Sequence, residues 1–190
     1  MAIEDRIKWD KRYQETPSLV KERNPSKKLH KVIEKVKGNK ALEIACGTGR
    51  NSLFLAENGF EVEALDISSV ALSYLDSLKL PNIQTKCLDL EGYRPAEDSY
   101  DLIVKTNYLD RDIIPHLAKA LKKDGILLIE TYMESECNTK PSSNPNFFLK
   151  GNELKTFFED DYEILEYDEF ENESFERFRM IKQSIIVKKR

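Results

Sequence analysis

Two glycines one residue apart, Gly47 and Gly49, follow a short apolar run in ALEIACGTGRNS (41–52), and an acid, Glu43, stands four residues before the first. A glycine turn between a strand and a helix lets backbone approach a nucleotide closely, and such turns often grip phosphate. The neighbours speak against phosphate here. G-x-G-x-x-G needs glycine where Ser52 stands, and the phosphate loop's G-K-[ST] is missing. Glu43 would also repel a phosphate. Two further acids flank the turn. Asp66, in VEALDISS, falls at the expected end of a second strand, where a carboxylate can accept both hydroxyls of an adenosine ribose and repel a 2′-phosphate. Asp89, in CLDLEGY, falls at the expected end of a third strand, where an acid can accept a bond from an exocyclic amine such as that of adenine. Three acids around one glycine turn favour a cationic adenosine ligand. S-adenosylmethionine fits: it carries an ammonium and a sulfonium, and no phosphate.

The composition sets the outer limits. A chain of 190 residues, 40% hydrophobic and 34% charged, reads as one soluble globular domain over 1–190. Its net charge of −4 gives no electrostatic footprint for nucleic acid. The start, MAIEDRIKWDKRYQ, is too charged for a signal peptide, and no apolar run reaches membrane-spanning length, so the expectation is a cytoplasmic protein with no membrane partner. Cys46, Cys87 and Cys137 share no C-x-x-C spacing, which indicates neither a disulfide framework nor a zinc site, and no metal is expected.

The elements that must position these residues follow from periodicity. Residues 1–38 form a polar helical cap in two pieces, the first carrying Ile7, Trp9 and Tyr13. The second, after Asn24-Pro25-Ser26, places Leu29, Val32, Ile33 and Val36 at helical spacing. Residues 41–132 are the cofactor-binding core. Strands at 41–45, 61–65, 83–87, 101–105 and 126–132 alternate with helices at 51–58, 69–79 and 111–122. Strands separated by helices imply βαβ units and a doubly wound α/β sheet, with the site at the strands' carboxyl ends. Residues 133–190 supply a polar substrate-side loop, a helix near 151–159, and two closing strands joined by a turn at Glu171-Asn172-Glu173.

The run ALEIACGTGRNSLFLAENGFEVEALDISSVAL resembles the cofactor-binding half of class I S-adenosylmethionine-dependent methyltransferases. It is similar in particular to the TehB-like (tellurite-resistance) and thiopurine-methyltransferase-like group of small enzymes. WDKRY (9–13), DIS, DL, YDLIV and ILLIETY extend the likeness over most of the chain. The resemblance implies a Rossmann-like, mostly parallel seven-stranded sheet with a C-terminal antiparallel hairpin. It implies S-adenosylmethionine as cofactor and S-adenosylhomocysteine as product. Ala45 occupies the first glycine position of the family's acid-x-Gly-x-Gly-x-Gly. By the same resemblance Gly47 and Gly49 pass beside the methionine portion, Asp66 holds the ribose, and Ile67 packs on adenine, whose edge Asp89 and the Leu90 backbone read. Trp9 and Tyr13 lid the cofactor, and Arg50 or Arg12 meets its carboxylate. Taken alone, Trp9 also reads as an amphipathic-helix anchor, Arg50 as a solvated side chain, and Asp66 as a helix cap.

The acceptor belongs after the fourth strand, in KTNYLDRD (105–112), beginning beside Thr106, which is counted with the cofactor residues. The segment lacks the [NDS]-P-P-[YF] of base-modifying N-methyltransferases, and no cysteine is present for a C5-methylation route. Asn107 and Tyr108 are candidates to shape an acceptor pocket, and Arg111 or Lys105 to attract an oxyanion; LDRD equally reads as a helix cap. Phe147, Phe148 and Leu149 either line the acceptor cavity or pack their loop down. The acceptor is expected to be a small molecule with a sulfur, oxygen or metalloid nucleophile. A nicotinamide-dependent oxidoreductase and a non-catalytic S-adenosylmethionine-binding protein are the alternatives. Monomer and homodimer both remain open.

Overall fold

The structure is a computed structural model and describes residues 2–16, 19, 24–140, 144–173, 176 and 178–190. Its helices are α1 (Ala2–Glu15), α2 (Lys27–Ile33), α3 (Arg50–Glu57), α4 (Ser69–Ser77) and α5 (Ile114–Ala120). Its strands are β1 (Lys40–Ile44), β2 (Glu61–Asp66), β3 (Ile83–Cys87), β4 (Tyr100–Thr106), β5 (Leu121–Tyr132), β6 (Tyr162–Glu171) and β7 (Ile181–Lys189). They form one seven-stranded sheet in the order β3-β2-β1-β4-β5-β7-β6. The first five are parallel, and β7 runs antiparallel between β5 and β6. The order reverses between β1 and β4, and the crevice at such a switch point is where open α/β sheets bind ligands.

Both faces of the central strands are covered, which explains why these strands read as nearly continuous apolar runs. On one face Leu42, Ile44, Ile103, Leu127 and Ile129 pack under Ile114 and Leu117 of α5. On the other, Ala41, Ala64, Leu102, Val104 and Leu128 pack under Leu29 and Val32 of α2, Leu55 of α3 and Leu72 and Leu75 of α4. Two serines start helices as N-caps: Ser26 Oγ accepts from Lys28 N (3.3 Å) and Ser68 Oγ from Ala71 N (3.2 Å).

Several element boundaries differ from the expectation. The helix expected over 111–122 is only Ile114–Ala120, and β5 begins at once at Leu121 rather than at 126. Asp124 adopts φ 66°, the β4–β5 register shifts between Tyr100 and Leu102, and a Cβ on Gly125 would lie 2.8 Å from the Lys122 carbonyl. Lys122–Gly125 is therefore a tight bulge inside β5 rather than a helix end. The helix expected near 151–159 is a short 3-10 turn, Glu153–Phe157, entered through Asn152 at φ 60°. The closing connection is longer than Glu171–Glu173. Asn172 shuts its base by bonding Met180 through both N–H (2.8 Å) and Oδ1 (2.9 Å). On α1, Ile7 faces solvent at 63% exposure beside exposed Ile3, while Trp9, Asp10 and Tyr13 turn inward.

Candidate functional site

β1 delivers the chain into the turn at the switch point, and three residues there have positive φ: Ala45 (54°), Gly47 (57°) and Gly49 (80°). Alanine at 45 thus holds a left-handed conformation usual for glycine. At Gly47 a Cβ would stand 2.5 Å from the Tyr13 hydroxyl, so any larger residue would push the Tyr13 side chain away. At Gly49 it would stand 2.7 Å from Leu75 methyls.

The two glycine amides of the turn, and the Ser68 amide across from them, are already engaged. Gly47 N–H donates to Asp66 Oδ2 (2.7 Å), Ser68 N–H to Asp66 Oδ1 (2.8 Å), and Gly49 N–H to the Cys46 carbonyl (3.0 Å). A phosphate would find a carboxylate where it needs the Gly47 donor. Asp66 is 6% exposed, and burial pushes its carboxyl above the usual range, against the pull of the two amides. Each of its oxygens retains acceptor capacity for a ribose hydroxyl.

Glu43 is fully buried behind the turn. It accepts from Asn51 Nδ2 (2.9 Å) and from Ser52 Oγ. Burial raises its carboxyl to about 7, against the hydrogen bonds of Ser52 and Asn51 and the charge of Arg50. Asn51 Nδ2 also reaches Thr106 Oγ1 (3.2 Å), and Asn51 Oδ1 accepts from Ser26 N (2.9 Å). Ser26 Oγ continues to Glu130 Oε2 (2.6 Å), and Lys182 Nζ meets the other oxygen, Glu130 Oε1, at 3.2 Å. One polar chain therefore joins β1, α3, β4, β5 and β7 beneath the rim. Sequence reasoning missed Ser26, Asn51, Glu130 and Lys182. The available signal was a polar residue recurring on an otherwise apolar strand face, as Glu130 does after Ile126 and Leu128.

Arg50, the first residue of α3, sends Nη1 to the Asn24 carbonyl (3.2 Å). Its Nη2 is buried with no hydrogen-bond partner among the described residues. α1 lies across the turn, with Trp9 and Tyr13 rings 6.1 Å apart and the Arg12 guanidinium 5.1 Å from the Trp9 ring. Ile67 is half-buried, and the Cys87 thiol meets its carbonyl at 3.4 Å. Asp89 lies two residues past the end of β3, and its Oδ1 accepts from Glu91 N (3.0 Å). The Leu90 side chain is buried in the core.

On the β4 side, Asn107 is exposed at φ 58° and its N–H donates to the Glu130 carbonyl (2.8 Å). Lys105 is completely buried. Its Nζ donates to the Tyr108 carbonyl (2.6 Å) and lies 5.4 Å from the Tyr108 ring, and burial lowers the ammonium to about 7. Tyr108 is half-buried, and burial raises its phenol. Arg111 is committed elsewhere: it binds Glu153 (2.5 Å) and the carbonyls of Asn146 and Phe148 (2.9 Å each), stapling the 144–153 segment to the site's edge. In that segment Leu149 is buried, Phe148 half-buried and Phe147 57% exposed, while 141–143 lie outside the described residues.

Sheet order and switch-point turn together define a Rossmann-like, doubly wound α/β protein. Its fold matches a SAM-dependent methyltransferase from Methanosarcina mazei (TM-score 0.69, 19% identity, 88% of this chain and 99% of that one). The chain belongs to the TehB family: the model of "Tellurite resistance protein TehB" matches residues 3–177. The crystal structure of TehB from Haemophilus influenzae aligns with TM-score 0.73 and 27% identity over 86% of this chain and 62% of that one. The curated relative named "Probable S-adenosyl-L-methionine-dependent methyltransferase TehB", from the same organism, is 33% identical over 141 residues, 68% of this chain and 48% of the relative. The chain thus spans about half the length of the curated TehB it matches.

Proposed function

We propose that this protein transfers a methyl group from S-adenosylmethionine to a small-molecule acceptor bearing a sulfur, oxygen or metalloid nucleophile. The observation that carries the cofactor reading is the glycine turn whose leading N–H is occupied by Asp66, with buried Glu43 behind it. That arrangement rejects phosphate and accepts a cationic nucleoside. One feature fits the cofactor further: the buried Arg50 Nη2, which has no hydrogen-bond partner among the described residues, is suited to a carboxylate.

Asp66 holds the ribose, Ile67 packs on the adenine, and Asp89 with the Leu90 backbone reads its edge. Gly47, Gly49, Ala45, Thr106 and Glu43 surround the methionine portion, Arg50 receives its carboxylate, and Trp9 with Tyr13 covers it. The cofactor supplies a methyl already activated on a sulfonium; the acceptor's lone pair takes the carbon as the carbon–sulfur bond breaks, leaving S-adenosylhomocysteine. The protein's task is alignment and exclusion of water, which can supply up to about 7–11 kcal/mol. Asn107 and Tyr108 border the acceptor space, and Arg111 fixes the loop that faces it. The family's tellurite-resistance name favours testing metalloid oxyanions beside thiols.

Calorimetry with S-adenosylhomocysteine, S-adenosylmethionine and NADH tests the cofactor; binding of NADH alone refutes it. Release of S-adenosylhomocysteine with a panel of tellurite, selenite, aliphatic and aromatic thiols and catechols tests the acceptor. Tight cofactor binding with no turnover across the panel overturns the transferase reading.

A further inference from the structure

Asp10 lies on α1 one turn before Tyr13. Its Oδ1 accepts from Ser68 Oγ (2.6 Å) and Val70 N (3.2 Å), and its Oδ2 from Ser69 Oγ (3.2 Å). It therefore binds the first turn of α4 with three donors, although 58 to 60 residues separate it from them. Burial pulls its carboxyl up, but the bonds from Ser68, Val70 and Ser69 outweigh this and hold it below the usual range. Ser68 has a second role: its backbone N–H donates to Asp66 Oδ1. One serine thus bridges two carboxylates, one on the covering helix and one at the ribose position. A single helical turn beyond Asp10, the Tyr13 hydroxyl stands over Gly47, whose N–H also ends on Asp66.

We propose that Asp10 is a positioning residue for cofactor binding: it latches α1 to the start of α4 through Ser68, sets Tyr13 over the glycine turn, and couples the seating of α1 to occupancy of Asp66. The inference rests on the cofactor reading above and adds a residue that touches no ligand itself. The closed loop Asp10–Ser68–Asp66–Gly47–Tyr13 carries it. A helix held only by apolar contact could slide along its axis. Three hydrogen bonds to one carboxylate fix its register, and Tyr13 comes with it. The helix's outward apolar residues, Ile3 and Ile7, are exposed and contribute little to docking.

The chain has a single tryptophan, Trp9, next to the latch, so its emission reports the seating of α1 directly. Wild type, Asp10→Ala, Asp10→Asn and Arg6→Ala are titrated with S-adenosylhomocysteine by calorimetry. Acrylamide quenching of Trp9 is measured with and without ligand. Arg6 serves as control because it approaches Asp10 only at 3.9 Å from an exposed position. The expected result is a Kd raised at least tenfold in Asp10→Ala, and Trp9 still open to quencher at saturating ligand. Asp10→Asn should show a smaller rise, since it keeps one acceptor oxygen for Ser68, and Arg6→Ala should match wild type. A Kd for Asp10→Ala within threefold of wild type, or ligand protection of Trp9 equal to wild type, overturns the latch. If Asp10→Ala does not fold, Asp10→Asn decides by the same two readings. Absence of binding by wild type would instead overturn the cofactor reading itself.

Discussion

Lys105→Met should stabilise the protein, and by an amount that depends strongly on pH. The lysine is fully buried at the end of β4, with the Tyr108 carbonyl as its one hydrogen-bond acceptor and no carboxylate in salt-bridge range among the described residues. Burial lowers its ammonium from 10.5 to about 7 in the fold. Between pH 7 and 10.5 the unfolded chain therefore binds more protons than the folded one, and stability rises with pH across that window. Below pH 7 both states are charged and the full penalty applies, about 3.5 pK units or on the order of 5 kcal/mol. At pH 10 less than about 1 kcal/mol of it remains. Methionine is close in size and cannot be charged, but it leaves the Tyr108 carbonyl without its donor, which costs about 1–3 kcal/mol at any pH. The net change should be about 2–4 kcal/mol stabilising at pH 6 and near zero or destabilising at pH 10. Urea unfolding of both proteins at the two pH values, followed by far-UV circular dichroism, measures it. Packing and hydrogen-bond offsets cancel when the two differences are subtracted, leaving about 3–4 kcal/mol from the charge alone. A mutant-minus-wild-type difference that is the same at pH 6 and pH 10 refutes the reasoning.

Glu43 gives the opposite slope. Its carboxyl rises from 4.5 to about 7, so stability is lost as pH climbs from 4.5 to 7, by about 3 kcal/mol, and Glu43→Gln should flatten that segment of the urea-midpoint profile. Asp66→Ala should weaken S-adenosylhomocysteine binding far more than Asp168→Ala, because Asp168 lies on β6 paired with Lys28; comparable calorimetric losses would contradict this. Gly47→Ala should weaken binding at least tenfold and expose Trp9 to quencher, since its Cβ claims the space of the Tyr13 hydroxyl at a φ alanine avoids. Arg111→Ala should free the 144–153 segment and raise its proteolysis rate, while thermal unfolding of the sheet shifts by about 1–3 kcal/mol or less.

The central half of the fold was legible because its signals are local. Glycines at a strand-to-helix turn and acids at strand ends carry their meaning within a few residues, and β1 to β3 fall where the pattern places them. The bulge at Lys122–Gly125 was hidden because lysines at 122 and 123 continue a helical pattern, and only pairing with Tyr100 draws that stretch into β5. Arg111 illustrates a deeper limit. A cation beside an expected acceptor pocket invites a binding role, but its partners, Glu153 and two carbonyls, lie 35 to 42 residues away. The contacts through Ser26 were illegible for the same reason, since its bonds to Asn51 and Glu130 span 25 and 104 residues.

The place of β7 has a consequence for biosynthesis. It inserts between β5 and β6, yet is made after both, so the apolar ILLIETY stretch of β5 leaves the ribosome with one edge unpaired until residues 181–189 follow. An open edge of that composition is a template for wrong partners. A nascent chain stalled before Ile181 should therefore recruit chaperones, and release of the next nine residues should end that dependence.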